Sequence, residues 1–327
     1  MRLFFLCLCI AFVGCDSATS ASNGPTATDS CTNLAKARCA LLSSCTNGIG
    51  IQSTYGDLAT CEARQTAACV TNLSASGQNQ TPITVQACAD VAPTQSCWDR
   101  TLNLQPAACI PPAGTIADGQ PCIASGQCTS TWCVLQDNAV VGVCGPLPKA
   151  GDACDTTTCG RGLECGKNAA GTSVCFAPVA SGGACDKDHR CGPNLGCVGL
   201  TKTTAGICQS RGATAGVVCD PTSKTAPDCL ASFGLFCDST GHCKAATPVK
   251  SGEGCGLVGT DVGTFCSAGI CVKAAATDKS GACKGDAADG GACDSDATKG
   301  PSCLSPAKCV PSTSGGTAGI CTLPVAN

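Results

Sequence analysis

The chain has 327 residues, 35 of them cysteine, and only one tyrosine and two tryptophans. Its 20 lysines and arginines against 23 aspartates and glutamates leave no basic stripe to follow a phosphate backbone, which excludes nucleic acid on charge. Aromatics at 3% exclude a single large core as well; disulfides must replace it, and they require an oxidising compartment.

Met1-Arg2 is a short basic start, and Leu3 to Val13 is an unbroken apolar run of 11 residues. A bilayer span takes about 20, so residues 1–14 read as a secretory signal peptide. The run ends in Phe12-Val13-Gly14-Cys15, which resembles a bacterial lipoprotein signal, and the resemblance implies a mature chain beginning at an acylated Cys15. Cysteine parity agrees. Removing 1–14 takes Cys7 and Cys9 away, and acylating Cys15 leaves 32, an even number. Plain secretion, with cleavage near Gly14 or Ala18, is the alternative. Residues 15–30 then form the lipidated cysteine and a Ser/Thr/Ala-rich flexible tether.

Residues 31–112 change character. Asp29 or Ser30 caps an expected helix with Cys31, Leu34, Ala35, Leu42 and Cys45 on one stripe. Asp57 caps a second, with Leu58, Cys61, Ala68, Cys69 and Leu73. Thr81-Pro82 opens a third that stops before Pro93, and Thr94 opens a fourth running through Trp98 to Leu104. Eight cysteines predict four disulfides here, with 105 pairings open.

From Asp118 onward the cysteines come in fours, in six tandem units: 118–149, 150–180, 181–213, 214–250, 251–288 and 289–327. Gly119, Gly151, Gly182, Gly216, Gly252 and Gly290 each stand three residues before a unit's first cysteine. A second series, Gly142, Gly206, Gly241, Gly281 and Gly319, stands two before the fourth. Both series read as tight turns with positive φ. Four cysteines allow three pairings. First-to-third with second-to-fourth gives a compact crossed unit, whereas first-to-fourth would nest the loops. The expected bridges are therefore Cys122–Cys133, Cys128–Cys144, Cys154–Cys165, Cys159–Cys175, Cys185–Cys197 and Cys191–Cys208. The last three units supply Cys219–Cys237, Cys229–Cys243, Cys255–Cys271, Cys266–Cys283, Cys293–Cys309 and Cys303–Cys321. The fold class is small disulfide-rich: an N-terminal α-helical four-disulfide domain, then six four-cysteine units with short β-hairpins, standing as a row of beads.

The spacing around Asn194-Leu195-Gly196-Cys197, with Gly162-Leu163-Glu164-Cys165 and Gly234-Leu235-Phe236-Cys237, resembles the start of the Dickkopf N-terminal cysteine-rich domain. Tandem copies behind a lipoprotein signal and an eight-cysteine helical module resemble the cysteine-rich repeat lipoproteins of myxobacteria. That resemblance implies a bacterial cell-envelope location, extracytoplasmic and lipid-anchored, with membrane lipid as a partner through Cys15.

Little in the chain points to chemistry. Zinc finds no C-x2-C pair and only His189 and His242, so no metal and no cofactor is expected. His189 lies in a charged loop and His242 in a turn, neither matched to a nucleophile, and no enzyme is expected. Asp294 and Asp296, and Asp286 to Asp289, lack the spacing of a calcium loop and read as solvated loops. Trp98 and Trp132 read as packing residues. Asn72 and Asn79 begin glycosylation sequons that matter only in a secreting eukaryote. The first intercysteine segment varies from 4 residues after Cys154 to 10 after Cys255, so binding is expected there. The functional reading is a structural, adhesive or ligand-binding envelope protein with an unknown protein or glycan partner; the alternative is a secreted disulfide-rich protease inhibitor.

Overall fold

The computed structural model describes residues 24–324 apart from 136–138, 155–158, 169, 258–260, 276 and 297. The expected signal peptide at 1–14, Cys15 and the first part of the expected tether lie outside the described residues. Among the described residues, no helix is long and apolar enough to cross a membrane.

The N-terminal region is helical. Helix α1 spans Ala27–Cys45 and is capped by Thr26, whose hydroxyl accepts the Asp29 N–H at 3.1 Å. Asp29 and Ser30 are thus inside the helix rather than at its cap, and the tether is shorter than expected. Several residues here can cap. Thr26 is selected because that start turns Ser30 and Cys31, both fully buried, onto the core. Helix α2, Ile49–Tyr55, carries no sequence signal, being short, β-branched and interrupted by Gly50. It forms because Ile51 and Tyr55, one turn apart, bury against Cys39 and Cys61. Helix α3, Leu58–Ser74, is capped by Asp57, and helix α4, Pro82–Val91, by Thr81 with Pro82 at its first position. Past Val91 a 3-10 turn, Ala92–Thr94, holds Pro93. Helix α5 is only Cys97–Thr101 and is capped by Ser96 rather than Thr94. Four disulfides tie these helices: Cys31–Cys69, Cys39–Cys61, Cys45–Cys97 and Cys88–Cys109.

Beyond this region the chain forms six small sheets, one per four-cysteine segment. In the third, Gly206–Ser210 is the central strand, antiparallel to Ala184–Cys185 on one side and Leu195–Val198 on the other. The first and sixth sheets have the same strand order. The second and fourth reduce the outer strand to single bridges, Ala153 with Val174 and Val218 with His242. The fifth adds a hairpin from its long first loop and a parallel strand, Thr247–Val249.

In all six sheets the third and fourth cysteines face each other across the strands: Cys133 and Cys144, Cys165 and Cys175, Cys197 and Cys208, Cys237 and Cys243, Cys271 and Cys283, Cys309 and Cys321. They do not bond to each other. The third cysteine bridges to the first, as in Cys185–Cys197, and the fourth to the second, as in Cys191–Cys208. The same connectivity holds in the other five.

The two glycine series differ in their physics. Gly182 has φ +83°, a Cβ added there would meet nothing within 4 Å, and its N–H donates to the Cys208 carbonyl at 2.7 Å. The five glycines equivalent to it also have positive φ and make the same bond to the fourth cysteine. Gly206 instead has ordinary strand φ; a Cβ there would stand 2.7 Å from Cys197 Sγ and from the Val198 carbonyl. Close approach, not positive φ, requires glycine at Gly142, Gly206, Gly281 and Gly319, while Gly241 keeps φ +77°.

A row of independent beads is not what forms. Every sheet-bearing segment touches the helical region, which acts as a hub. The Gln127 side chain donates to the Ser76 carbonyl at 2.7 Å. The Gly162 N–H donates to Leu102 at 2.8 Å, and Gly192 lies against the Trp98 ring. Gly234 packs on Ile49, and the Ala268 N–H reaches the Gln52 carbonyl at 2.9 Å. Arg64 of α3 then grips the last segment through both oxygens of Asp289 and the carbonyls of Leu304 and Ser305.

Gly182→Ala is expected to destabilise the third sheet by about 1–2 kcal/mol, the cost of a left-handed L-residue. Gly206→Ala is expected to cost more, because backbone must move. Amide exchange of the Cys208 and Ile207 N–H groups reads both, and equal losses would contradict the distinction.

Candidate binding cavities and loop sites

Most of the side chains that the sequence offers for chemistry are already engaged. His189 Nδ1 stands 2.9 Å from Asp186 Oδ1, and both side chains are exposed. Asp186 also accepts the N–H groups of Asp188 and His189, and these bonds hold its carboxyl below its ordinary value. His242 lies in a different sheet, 3.2 Å from the Thr240 hydroxyl.

Sulfur triads such as Cys122, Cys128 and Cys133 lie within 4.8 Å of one another, but as members of stacked disulfides they offer no thiolate to a metal. Asp286 and Asp289, expected in a solvated loop, are structural instead. Asp289 pairs with Arg64 at 2.7 Å. Asp286 accepts the Ser302 hydroxyl, and burial pushes its carboxyl up. Asn79 donates to the Ala113 carbonyl at 2.6 Å, while Asn72 lines a cavity.

Two of the first loops, in the fourth and sixth segments, share an anchoring device that spacing alone does not reveal. In the 220–228 loop, Asp220 accepts the N–H groups of Thr222, Lys224 and Thr225 and both threonine hydroxyls, which hold it far below its usual range. In the sixth segment, Asp296 accepts the Thr298 N–H and hydroxyl and pairs with Lys299 at 3.1 Å. Those bonds pull its carboxyl down to about 2. Asp238 does the same in a turn, accepting from Thr240 and His242. The signal is an Asp followed two residues later by Thr, an Asx-type turn legible in retrospect.

Outward faces recur too. Val143, Ile207 and Ile320, each just before a fourth cysteine, are 48%, 44% and 48% exposed. Each faces a valine on the neighbouring strand: Val134, Val198 and Val310. Alternation along the strand explains this, since the cysteines take the inner face and their neighbours must point out.

Inward, the hub and the segments enclose cavities. One of about 290 Å³ lies among α1, α3 and the α4–α5 connection, with Arg38, Arg100, Asn103 and Gln105 in its wall. A second, about 300 Å³, adjoins it and shares Arg38 and Gln105, adding Arg161, Gln80 and Trp132. Trp132 therefore lines a cavity, whereas Trp98 packs against Gly192. Surrounding protein pushes the Arg38 and Arg100 guanidinium groups below their ordinary values. A third cavity, about 390 Å³ and mostly apolar, sits where α3, the first segment and the last meet, at Ile123, Leu135, Leu323 and Pro324. No family model, curated protein or solved structure matches this chain.

The Asp296 carboxylate has a folded-state value below its ordinary one. Its contribution to loop order is therefore complete above about pH 4 and lost as pH falls through about 2. Carboxyl 13C titration should place its midpoint near 2, with loss of Thr298 amide protection over the same interval. A midpoint at the ordinary 3.8 would contradict the anchoring.

Proposed function

We propose that this chain is a bacterial envelope lipoprotein, acylated at Cys15, that works by binding rather than by turnover. Its sixteen disulfides carry the reading. They consume every cysteine from Cys31 to Cys321, which requires an extracytoplasmic compartment and leaves Cys15 as the one cysteine beyond the leader's Cys7 and Cys9. We further propose that the six four-cysteine segments are copies of one unit. The shared connectivity, the facing third and fourth cysteines and the bond from the positive-φ glycine to the fourth cysteine support it. The family reading remains the myxobacterial-type cysteine-rich lipoprotein with Dickkopf-like units.

Binding is assigned to the outward face. The first loops differ in length over a constant frame, two of them anchored by Asp220 and Asp296, and Val143, Ile207 and Ile320 are exposed on the sheets. Repetition of weak contacts then raises attachment by effective concentration. The exposed, separated His189 and His242 support a non-catalytic role.

Intact mass of the envelope-extracted protein should show a diacylglyceryl or triacyl increment on Cys15, and Cys15→Ala should move the protein from the membrane to the soluble fraction. An unmodified N-terminus downstream of Cys15 refutes the anchor. For binding, replacing the 220–228 loop by the shorter 186–190 loop should weaken attachment to cells in part, not wholly. A hydrolytic or transfer activity lost on His189→Ala or His242→Ala would refute the non-catalytic reading.

A further inference from the structure

The two adjoining cavities around Arg38 hold an arrangement that the outward-binding reading does not use. Arg38, Arg100 and Arg161 come from α1, α5 and the second segment, and together line the two lobes. Among the described residues, none of the three side chains makes a hydrogen bond or ion pair, and no carboxylate lines either lobe. Arg161 Nε is sealed from solvent without an acceptor. Arg161 is half-buried, and a guanidinium N–H withdrawn from water without an acceptor is costly; Arg38, largely open to solvent, stands in the wall beside it. The chain does pair arginine elsewhere, bidentately, at Arg64 and Asp289. Its omission at Arg161, with Arg38 in the same wall, leaves a place for an anion supplied from outside.

The rest of the lining narrows the chemistry. Gln80 and the side chain of Asn72 make no hydrogen bond among the described residues, and both face the lobe that holds Arg161. The other lobe has Gln95, Asn103 and Gln105 in its wall; Gln95 already donates to the Leu104 carbonyl at 2.9 Å and Gln105 to Asn103 Oδ1 at 3.0 Å, each keeping further donor or acceptor capacity. Amides both donate and accept, as hydroxyl-rich ligands require. The half-buried Trp132 adds an apolar ring to the same wall. Lobes of about 290 and 300 Å³ also exceed the needs of an inorganic ion and fall at the lower end of small-molecule sites. We propose that this two-lobed cavity binds an acidic saccharide. The carboxylate is taken by the planar forks of Arg38 and Arg161, the hydroxyls by the amides, and a pyranose face by Trp132. No bond is made or broken. The inference goes beyond the outward-binding reading and stands independently of it.

Calorimetry and thermal unfolding of the full, disulfide-intact chain test it, with glucuronate, glucose and inorganic sulfate as probes. Glucuronate should bind and raise Tm by mass action, and glucose at the same concentration should not. Arg161→Gln and Arg38→Gln should each weaken glucuronate by about tenfold or more, as loss of a charge-assisted bidentate contact does. In the free protein both substitutions should leave Tm unchanged or raise it, since each removes an unpaired cation; a purely structural arginine would lower Tm. Trp132→Leu should weaken glucuronate while leaving sulfate unaffected. The proposal is overturned if glucuronate does not bind, if glucose binds equally, if sulfate binds as tightly as glucuronate, or if neither arginine variant changes affinity. Attachment to cells by the outward loops is scored separately, so a negative result here leaves that reading standing and a loss there leaves this one.

Discussion

Each four-cysteine segment depends on one constraint: two cysteines that face each other across a strand pair, yet are bonded to other partners. Cys197 and Cys208 stand opposite one another, so both sulfurs leave the same face of the sheet. A bridge between them would close only the hairpin. Bonding them instead to Cys185 and Cys191 staples the two preceding stretches beneath that face. The stacked bridges then serve as the core. In the first segment the buried cluster consists of Cys122, Cys128, Cys133 and Cys144, with Ile116 and Leu135 at its margin. Sulfur replaces the aromatic and branched residues that the chain lacks.

That frame is insufficient by itself. Bridges closing loops of 11 to 18 residues contribute about 3 kcal/mol each, less than the ordering entropy of a segment. The deficit explains why the segments gather on the helices instead of trailing in a row. The hub has apolar side chains to share, with Leu34 and Val85 in one cluster and Ile51 and Tyr55 in another. Polar groups then fix the docking. Buried Gln127 accepts the Ile123 and Ala124 N–H groups while donating to Ser76, so one side chain joins the first segment to the hub. Arg64 does the equivalent for the last segment, bringing the end of the chain back beside its first sheet.

Charge is distributed along the same lines. A net charge of −3 describes a nearly neutral protein, in which particular charged groups take up distinct tasks. Aspartates such as Asp220, Asp238 and Asp296 lie in outer loops and order them by accepting from nearby threonines. Arg38, Arg100 and Arg161 line the adjoining cavities where the helices and the first two segments meet. Ordered outer loops and an arginine-lined cavity thus carry the two binding proposals on different parts of one scaffold.

The sequence alone determined what is local. Cysteine spacing, the glycines ahead of each first cysteine and the caps at Asp57 and Thr81 act over a few residues, and so does the number of thiols. Helix α2 was illegible because its β-branched residues have little helical preference; it exists only where Cys39 and Cys61 receive Ile51 and Tyr55. The start of α1 was ambiguous among neighbouring cap residues until the burial of Ser30 and Cys31 settled its phase. Asp286 and Asp289 looked like loop solvent ligands because their partners, Ser302 and Arg64, are remote in sequence. The cavity arginines were silent for the same reason: Arg38, Arg100 and Arg161 have nothing in common until three separate elements are packed together. Short-range sterics and covalent spacing are written in order along the chain, whereas the hub and its cavity are set by contacts between residues far apart in that order, which only the tertiary structure decided.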